Sequence, residues 1–341
     1  MHPWFNHIER QHSAYHAFWR FSISLYQSNR FLDHLGVGGV GGNPPITLSE
    51  LTAEKPVKEA YLTVTEIESY LGYFAMPEEV FLEPRRFAAA AKHYLAGRPA
   101  YAQGLISRIV KELRLGAKDA VMDLGCGPGQ LAMLFVPFVR SVLAVDPSAE
   151  MLAVARHAAT GADNVHFKSG SSFDIGPELG TFKLVTIGRA FHWMDRPDTL
   201  QRLDVMLERD GAVVLFSDSH PKHRDNAWVE SYQRIIDDHA AGDVQRAKRR
   251  SADWPSDEEI LLASPFARLE RVSVIEKRTL PAEHLVERAL SISAINEAGL
   301  GSKMKHLIDD IKELSSRFSP GGIVSEVIES SALIARRVDE S

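Results

Sequence analysis

Val121–Gln130 reads VMDLGCGPGQ, an apolar run that breaks into three glycines and then runs on into the apolar LAMLF. The first five residues suit a buried strand and the last ones open a helix, which is the context a ligand-binding glycine loop requires. Gly125, Gly127 and Gly129 let the chain turn tightly and let a ligand approach the backbone. The helix starting near Gln130 aims its unpaired N–H groups and positive dipole end at that ligand. A dinucleotide loop wants G-x-G-x-x-G around a pyrophosphate; here Gln130 stands where the last glycine belongs. Asp123, just before the first glycine, would repel a pyrophosphate and suits a cation such as an amino-acid ammonium. The loop therefore favours a nucleoside that carries an amino acid over a dinucleotide.

Working outward, short apolar runs alternate with helical patterns. Strands are expected at 120–124, 142–145, 165–168, 184–187 and 212–216, with helices at 130–138, 149–159 and 198–207 between them. Helical stripes at 87–95 and 100–113 precede the set. Helices at 228–239, 283–295 and 303–318 and closing strands at 269–276 and 332–338 follow. Alternation at this spacing means βαβ units. The expected fold is α/β: a Rossmann-like, doubly wound, seven-stranded, mostly parallel sheet with helices on both faces and a helical cap. Asp146 ends the second strand, where a carboxylate accepts hydrogen bonds from a ribose diol; Ser148 competes with it for the role of helix N-cap.

The run resembles the class I S-adenosylmethionine-dependent methyltransferases. The resemblance rests on four blocks in order: DLGCGPG (123–129), VDPSAEMLAVAR (145–156), GRAFHW (188–193) and LERDGAVVLF (207–216). It implies S-adenosyl-L-methionine as cofactor. Asp123, Gly125, Gly127 and Gly129 would hold its methionine part and Asp146 its ribose. Pro147 and Met151 would border the adenine, with Ser171, Ser172 and Phe173 after the third strand. The family usually carries an acid in that last segment, where this chain has serines and Phe173. Lys183 replaces a common acid in the fourth strand, at the strand's entry and away from the site.

YLAGRPAY (94–101) before the first strand and AFHWMD (190–195) after the fourth narrow the resemblance to the group related to trans-aconitate methyltransferase. On that resemblance Tyr94 and Arg98 close over the cofactor, Arg98 meeting its carboxylate through the guanidinium fork, and Arg189 joins the cofactor set. His192 sits near the transferred methyl and is the candidate general base, since its ordinary pKa near 6.5 permits that role. Trp193 is read as a wall and Asp195 as a helix N-cap. Cap segments at about 225–262 and 281–320 would choose the acceptor, a small molecule methylated at an oxygen, carboxylate or hydroxyl. RAKRR (246–250) is read as a solvated face flanked by acids.

The 341 residues allow roughly two domains, and 45% hydrophobic with 25% charged residues is ordinary globular composition. A net charge of −6 and the lack of a polar-Pro-Pro-aromatic block after the fourth strand speak against nucleic acid as partner. One cysteine excludes an intrachain disulfide. With no secretory signal and no apolar run of membrane length, a cytoplasmic protein off the membrane is expected; oligomeric state is not readable. Residues 1–75 hold five of the fourteen histidines and the linker GVGGVGGNPP (36–45). They read as an extension, with the methyltransferase domain at 76–341 and Met76 a candidate functional start. His12 and His16 are spaced for one helix face, but no third ligand follows, so no metal is expected. Two other readings stay open: a catalytically silent methyltransferase-like binding protein and a nicotinamide-dependent oxidoreductase, the latter disfavoured by Asp123.

Overall fold

The structure, a computed structural model, describes residues 85–338; the readings made for residues 1–75 lie outside them. Helices α1 (Arg85–Gly97) and α2 (Gln103–Glu112) lead into β1 (Ala120–Leu124), α3 (Gln130–Phe135), β2 (Ser141–Asp146), α4 (Ala149–Ala158), β3 (Val165–Ser169), β4 (Phe182–Gly188), α5 (Arg196–Asp204) and β5 (Leu207–Ser219). Then come α6 (Val229–His239), α7 (Val244–Arg249), α8 (Asp257–Leu262), β6 (Arg268–Pro281), α9 (His284–Leu290), α10 (Glu297–Leu300), α11 (Lys303–Phe318) and β7 (Ile323–Arg336).

The seven strands form one sheet in the order β3-β2-β1-β4-β5-β7-β6. The first five pair in parallel, and β7 lies antiparallel between β5 and β6. This is the expected doubly wound sheet. Alternate residues of each strand enter opposite layers. Val121, Val142, Leu184 and Val214 pack on Leu105, Ile109 and Phe135 from α2 and α3. Met122, Val185, Val213 and Leu215 pack on Leu200 and Leu203 of α5 and Leu261 of α8. The strands are buried on both faces, which is why they read as unbroken apolar runs. The chain steps from β1 outward to β3, then crosses back to place β4 on the other side of β1. Strand order reverses there, and a crevice opens at the carboxyl ends of β1 and β4, the place where such sheets bind ligands.

A third apolar cluster builds the cap: Trp228, Tyr232 and Ile236 of α6 and its entry, Leu285 and Ala289 of α9, and Leu307, Ile311 and Leu314 of α11. A buried ion group ties it to the sheet. Arg288 on α9 meets Glu326 on β7 through two bonds of 2.9 and 3.2 Å, and His220 Nε2 lies 3.0 Å from the same carboxylate. Glu326 is only 3% exposed. The hydrogen bonds and positive charge of His220 and Arg288 overcome its burial and hold its pKa down at about 2.

Boundaries differ from the sequence reading in physically simple ways. The helix expected over 283–295 stops at Leu290, because the chain turns at Ser291 to enter the crevice. The closing strands run to fourteen residues each, since pairing with each other extends them beyond their apolar segments. The short helices α7 and α8 were not expected. α8 carries a capping box in which Ser256 accepts from Glu259 N and Glu259 accepts from Ser256 N, a pattern legible in the sequence as S-x-x-E. Among the described residues no helix is long and apolar enough to cross a membrane.

Candidate functional site

The loop between β1 and α3 is built by backbone constraint. Gly125, Gly127 and Gly129 all have positive φ (70°, 54° and 80°), the left-handed region that side chains disfavour. They serve different ends. A Cβ on Gly125 would stand 2.6 Å from Ala190 Cβ, so the β1 and β4 loops touch there. One on Gly129 would press on Ala155 and Phe167 at 3.3 Å. Above Gly127 the space is open, with no described heavy atom within 4 Å. Gly127 thus leaves its backbone accessible.

Asp123 is 1% exposed. One oxygen accepts from Ala132 N at 3.0 Å and the other from Thr186 Oγ1 at 2.8 Å, tying the end of β1 to the N-terminus of α3 and to β4. Burial pushes its pKa up to about 7 against these hydrogen bonds. Asp146 ends β2 and accepts from Gly127 N at 2.8 Å and from Ser148 N at 2.9 Å, one bond on each oxygen. Each oxygen keeps a second lone pair, so a diol finds two acceptors beside the open glycine. Ser148, not Asp146, caps α4 by accepting from Met151 N, which resolves the competition between them.

The remaining sequence candidates divide. Met151 is buried against Ala90 and Ala91 of α1. Pro147 lies between Asp146 and the capping Ser148. Gly170 N donates to Asp146 O at 3.2 Å, which brings the segment after β3 beside the end of β2. There Ser171 bonds Asp174 through both N and Oγ, Ser172 is buried and Phe173 is exposed. Asp195 caps α5 by accepting from Asp198 N. Lys183 pairs with Asp210 at the entry of β4.

Tyr94, Arg98, Arg189 and His192 come together around a cavity of about 590 Å³ that also takes in the ends of β4 and β5, α7 and the turn at Ser291. Arg98 donates to Ser291 O at 3.2 Å and its guanidinium carbon lies 5.5 Å from the centre of the Tyr94 ring. Arg189 is a non-glycine residue at φ 57°, and such strain persists only where surroundings enforce it. Its guanidinium pairs with Asp218, donates to Pro99 O at 2.7 Å and lies 4.4 Å over the Tyr101 ring. Arg98 Nε and Arg189 Nη1 are buried and lack a hydrogen-bond partner among the described residues. Buried unpaired donors are costly, so both are candidate hydrogen-bond donors to a ligand.

His192 lies in the turn Phe191–Trp193 after β4. Burial, reinforced by the positive charges of Arg249, Arg98 and Arg196, pushes its pKa down to about 3. It is therefore neutral at pH 7 and a weak base, best suited to orienting a partner through a hydrogen bond. Trp193 forms a wall, with Phe87 edge-on at 5.3 Å and the Arg249 guanidinium 3.9 Å over its ring.

One reading is corrected. The basic run at 246–250 is not simply a solvated face: Arg246, Arg249 and Arg250 line the cavity, because α7 folds back over the ends of β4 and β5. Sequence reasoning missed these residues and Arg271 from β6. The run itself was visible, but its direction was not.

Residues 121–211 match the family model Methyltransf_25, described as a methyltransferase domain. The chain is 26% identical over 156 residues to a probable S-adenosylmethionine-dependent methyltransferase of Saccharomyces cerevisiae, covering 44% of this chain and 52% of that protein. It is 26% identical over 207 residues to an uncharacterized methyltransferase of Mycobacterium bovis, covering 61% of this chain and 76% of the relative. The chain spans about half the length of relatives such as the yeast protein. Among solved structures, a methyltransferase from Thiobacillus denitrificans in complex with S-adenosyl-L-homocysteine aligns with a TM-score of 0.44 at 14% identity, covering 76% of this chain and all of that one.

Proposed function

We propose that the chain is an S-adenosyl-L-methionine-dependent methyltransferase acting on an oxygen of a small molecule, with residues 76–341 as the catalytic domain. The observation that carries this reading is the pairing of an open, left-handed Gly127 with the Asp146 carboxylate bonded to its N–H. Asp146 would take the ribose hydroxyls. Asp123, through its carboxylate, would favour the ammonium end. Arg98 would meet the carboxylate with its unpaired Nε. When bound, the cofactor supplies a methyl carbon on a sulfonium, whose departure leaves a neutral thioether.

With so good a leaving group, the protein's work is alignment and exclusion of water. Trp193 and Phe87 wall the cavity, and Arg189 fixes the β4 loop against α1's exit at Pro99. A neutral, weakly basic His192 supports an acceptor that is already deprotonated, hence a carboxylate oxygen rather than an alcohol. In that role His192 orients the acceptor and takes no proton.

Calorimetric titration with S-adenosyl-L-homocysteine tests the cofactor assignment. Asp146→Ala is expected to weaken binding by about 100-fold or more, since charge-assisted hydrogen bonds contribute about 1.5–3 kcal/mol each. Unchanged affinity would refute the ribose role. A radiolabelled methyl-transfer screen over carboxylates and phenols tests the reaction. Tight cofactor binding with no transfer to any of them would favour a silent binding protein, and tight NADH binding without S-adenosyl-L-homocysteine binding an oxidoreductase.

A further inference from the structure

The short connection between α1 and α2, residues 97–100, is held by guanidinium groups from three distant parts of the chain. Arg288 of α9 donates from Nε to Gly97 O at 3.3 Å, Arg189 of the β4 loop from Nη2 to Pro99 O at 2.7 Å, and Arg278 of β6 from Nη1 to Ala100 O at 3.1 Å. Arg98 stands in the middle of this segment. Its own N–H donates to Tyr94 O at 2.9 Å, so the end of α1 sets where its side chain starts. The far end is set from α9. Arg98 Nη2 donates to Ser291 O at 3.2 Å, and Ser291 Oγ in turn donates to Arg288 O at 2.7 Å. Arg288 therefore holds Arg98 at both ends, its side chain at the peptide before Arg98 and its backbone at the serine that receives the guanidinium. Packing leaves little slack: a Cβ on Gly97 would stand 2.3 Å from Glu287 O, so the end of α1 lies directly on the backbone of α9. Arg288 is itself fixed by Glu326. With Nη2 of Arg98 committed, its buried Nε has no partner among the described residues. The direction of that Nε–H follows from where Nη2 is held, because a guanidinium is planar and presents its donors in a fixed fork.

We infer that Arg278 and Arg288, neither of which lines the cavity, are positioning residues that aim Arg98 Nε at the carboxylate of the bound nucleoside. The inference rests on the methyltransferase reading for that ligand and goes beyond it in naming what holds Arg98. A hydrogen bond weakens steeply once its angle falls below about 120°, so a guanidinium that is free to turn loses most of its grip on a carboxylate. Loosening either clamp therefore lowers affinity for the carboxylate and leaves the contacts at Asp146 and the glycine loop in place.

The test titrates the full chain by calorimetry with S-adenosyl-L-homocysteine and with 5′-(3-aminopropylthio)-5′-deoxyadenosine, which keeps the ribose and the ammonium and lacks the carboxylate. The wild-type chain is expected to prefer the carboxylate by about tenfold or more, as a charge-assisted hydrogen bond should give. Arg98→Gln is expected to remove this preference. Arg278→Gln should lose most of it with binding of the aminopropyl nucleoside unchanged, and Arg278→Lys, which can still donate to Ala100 O, should restore it. Arg288→Lys keeps a charge opposite Glu326 without the fork that also reaches Gly97 O, and should lose preference in the same way. Added to Arg98→Gln, Arg278→Gln should cause no further loss, the mark of a residue that acts through Arg98. Equal weakening of both nucleosides by Arg278→Gln, an unchanged preference, or additive losses in the double variant overturns the inference. If Arg288→Lys does not fold, Arg278→Gln decides, since Arg278 lies on the outer strand of the sheet and its replacement strands no buried carboxylate. Equal binding of the two nucleosides by the wild-type chain, or a preference that survives Arg98→Gln, sinks this inference alone. Binding of neither nucleoside sinks the methyltransferase reading and this inference with it.

Discussion

The loop at the end of β1 and the helix α7 both bring charge to the same end of the sheet, and they do so by different means. In the loop, the carboxylates are set by backbone. Asp123 and Asp146 lie at the carboxyl ends of neighbouring parallel strands, with Asp123 opposite Ala144 and Leu124 opposite Val145, and left-handed glycines turn the chain that follows β1. Their positions follow from strand pairing within some 25 residues of sequence. On the cap side, the guanidinium groups come from α1, the β4 loop, α7 and β6, and nothing local aims them. They converge because α6, α9 and α11 pack a separate apolar cluster and because Arg288 anchors α9 to Glu326. The first region is thus locally encoded. The second depends on whether the cap is docked.

The largest expected effect tests that dependence. Glu326→Gln leaves Arg288 buried without its counter-charge and should cost about 3–5 kcal/mol, measured by chemical denaturation. Cap-side ligand binding should fall before the sheet core unfolds, as hydrogen exchange would reveal. A loss shared equally by cap and sheet would erase the distinction between the regions. The same carboxylate predicts acid sensitivity. Its folded pKa of about 2 lies below its ordinary 4.5, so its stabilisation is complete above pH 4.5 and is lost as pH falls toward 2. Glu326→Gln should flatten that part of the stability profile.

Asp146→Ala strikes the other region, and its roughly 100-fold loss of cofactor affinity should come with little change in melting temperature. A smaller effect is expected from Asp123. Its pKa of about 7 in the folded chain means that a cationic ligand binds best once the carboxyl has ionised. Affinity for S-adenosyl-L-homocysteine should therefore rise by up to about tenfold between pH 6 and 7 and level off above. Asp123→Asn should remove that dependence, and a flat profile in the wild-type chain would show that no ammonium meets this carboxyl. The smallest effect is that of His192→Asn. General bases contribute about 100- to 10,000-fold, whereas loss of an orienting hydrogen bond should lower kcat by no more than about tenfold. A loss of several hundred-fold would restore the base assignment.

Much of the fold was legible because two periodicities do not interfere here. Strands such as VMDL and VLAV are apolar on both faces, and the intervening helices carry clear stripes, so β1 to β5 and their order of appearance could be read residue by residue. The glycine loop and Asp146 were legible for the same reason, since they are defined by their place at strand ends. α7 and α8 were not, because six-residue helices hold too few turns to show a period, although the capping box at Ser256 and Glu259 marked the start of α8. His192 was legible as a residue at the carboxyl edge of β4, but its basicity was not. That property depends first on burial and then on Arg98, Arg196 and Arg249, which come from separate parts of the chain.

The sequence by itself determined the doubly wound sheet, the glycine loop and the two carboxylates beside it, because each follows from local pattern and strand register. Only the tertiary structure decided that three arginines of RAKRR line the cavity, that the basicity of His192 is depressed and that the cavity is rich in guanidinium. Long-range packing fixes the direction and electrostatic surroundings of a side chain, and no local spacing records them.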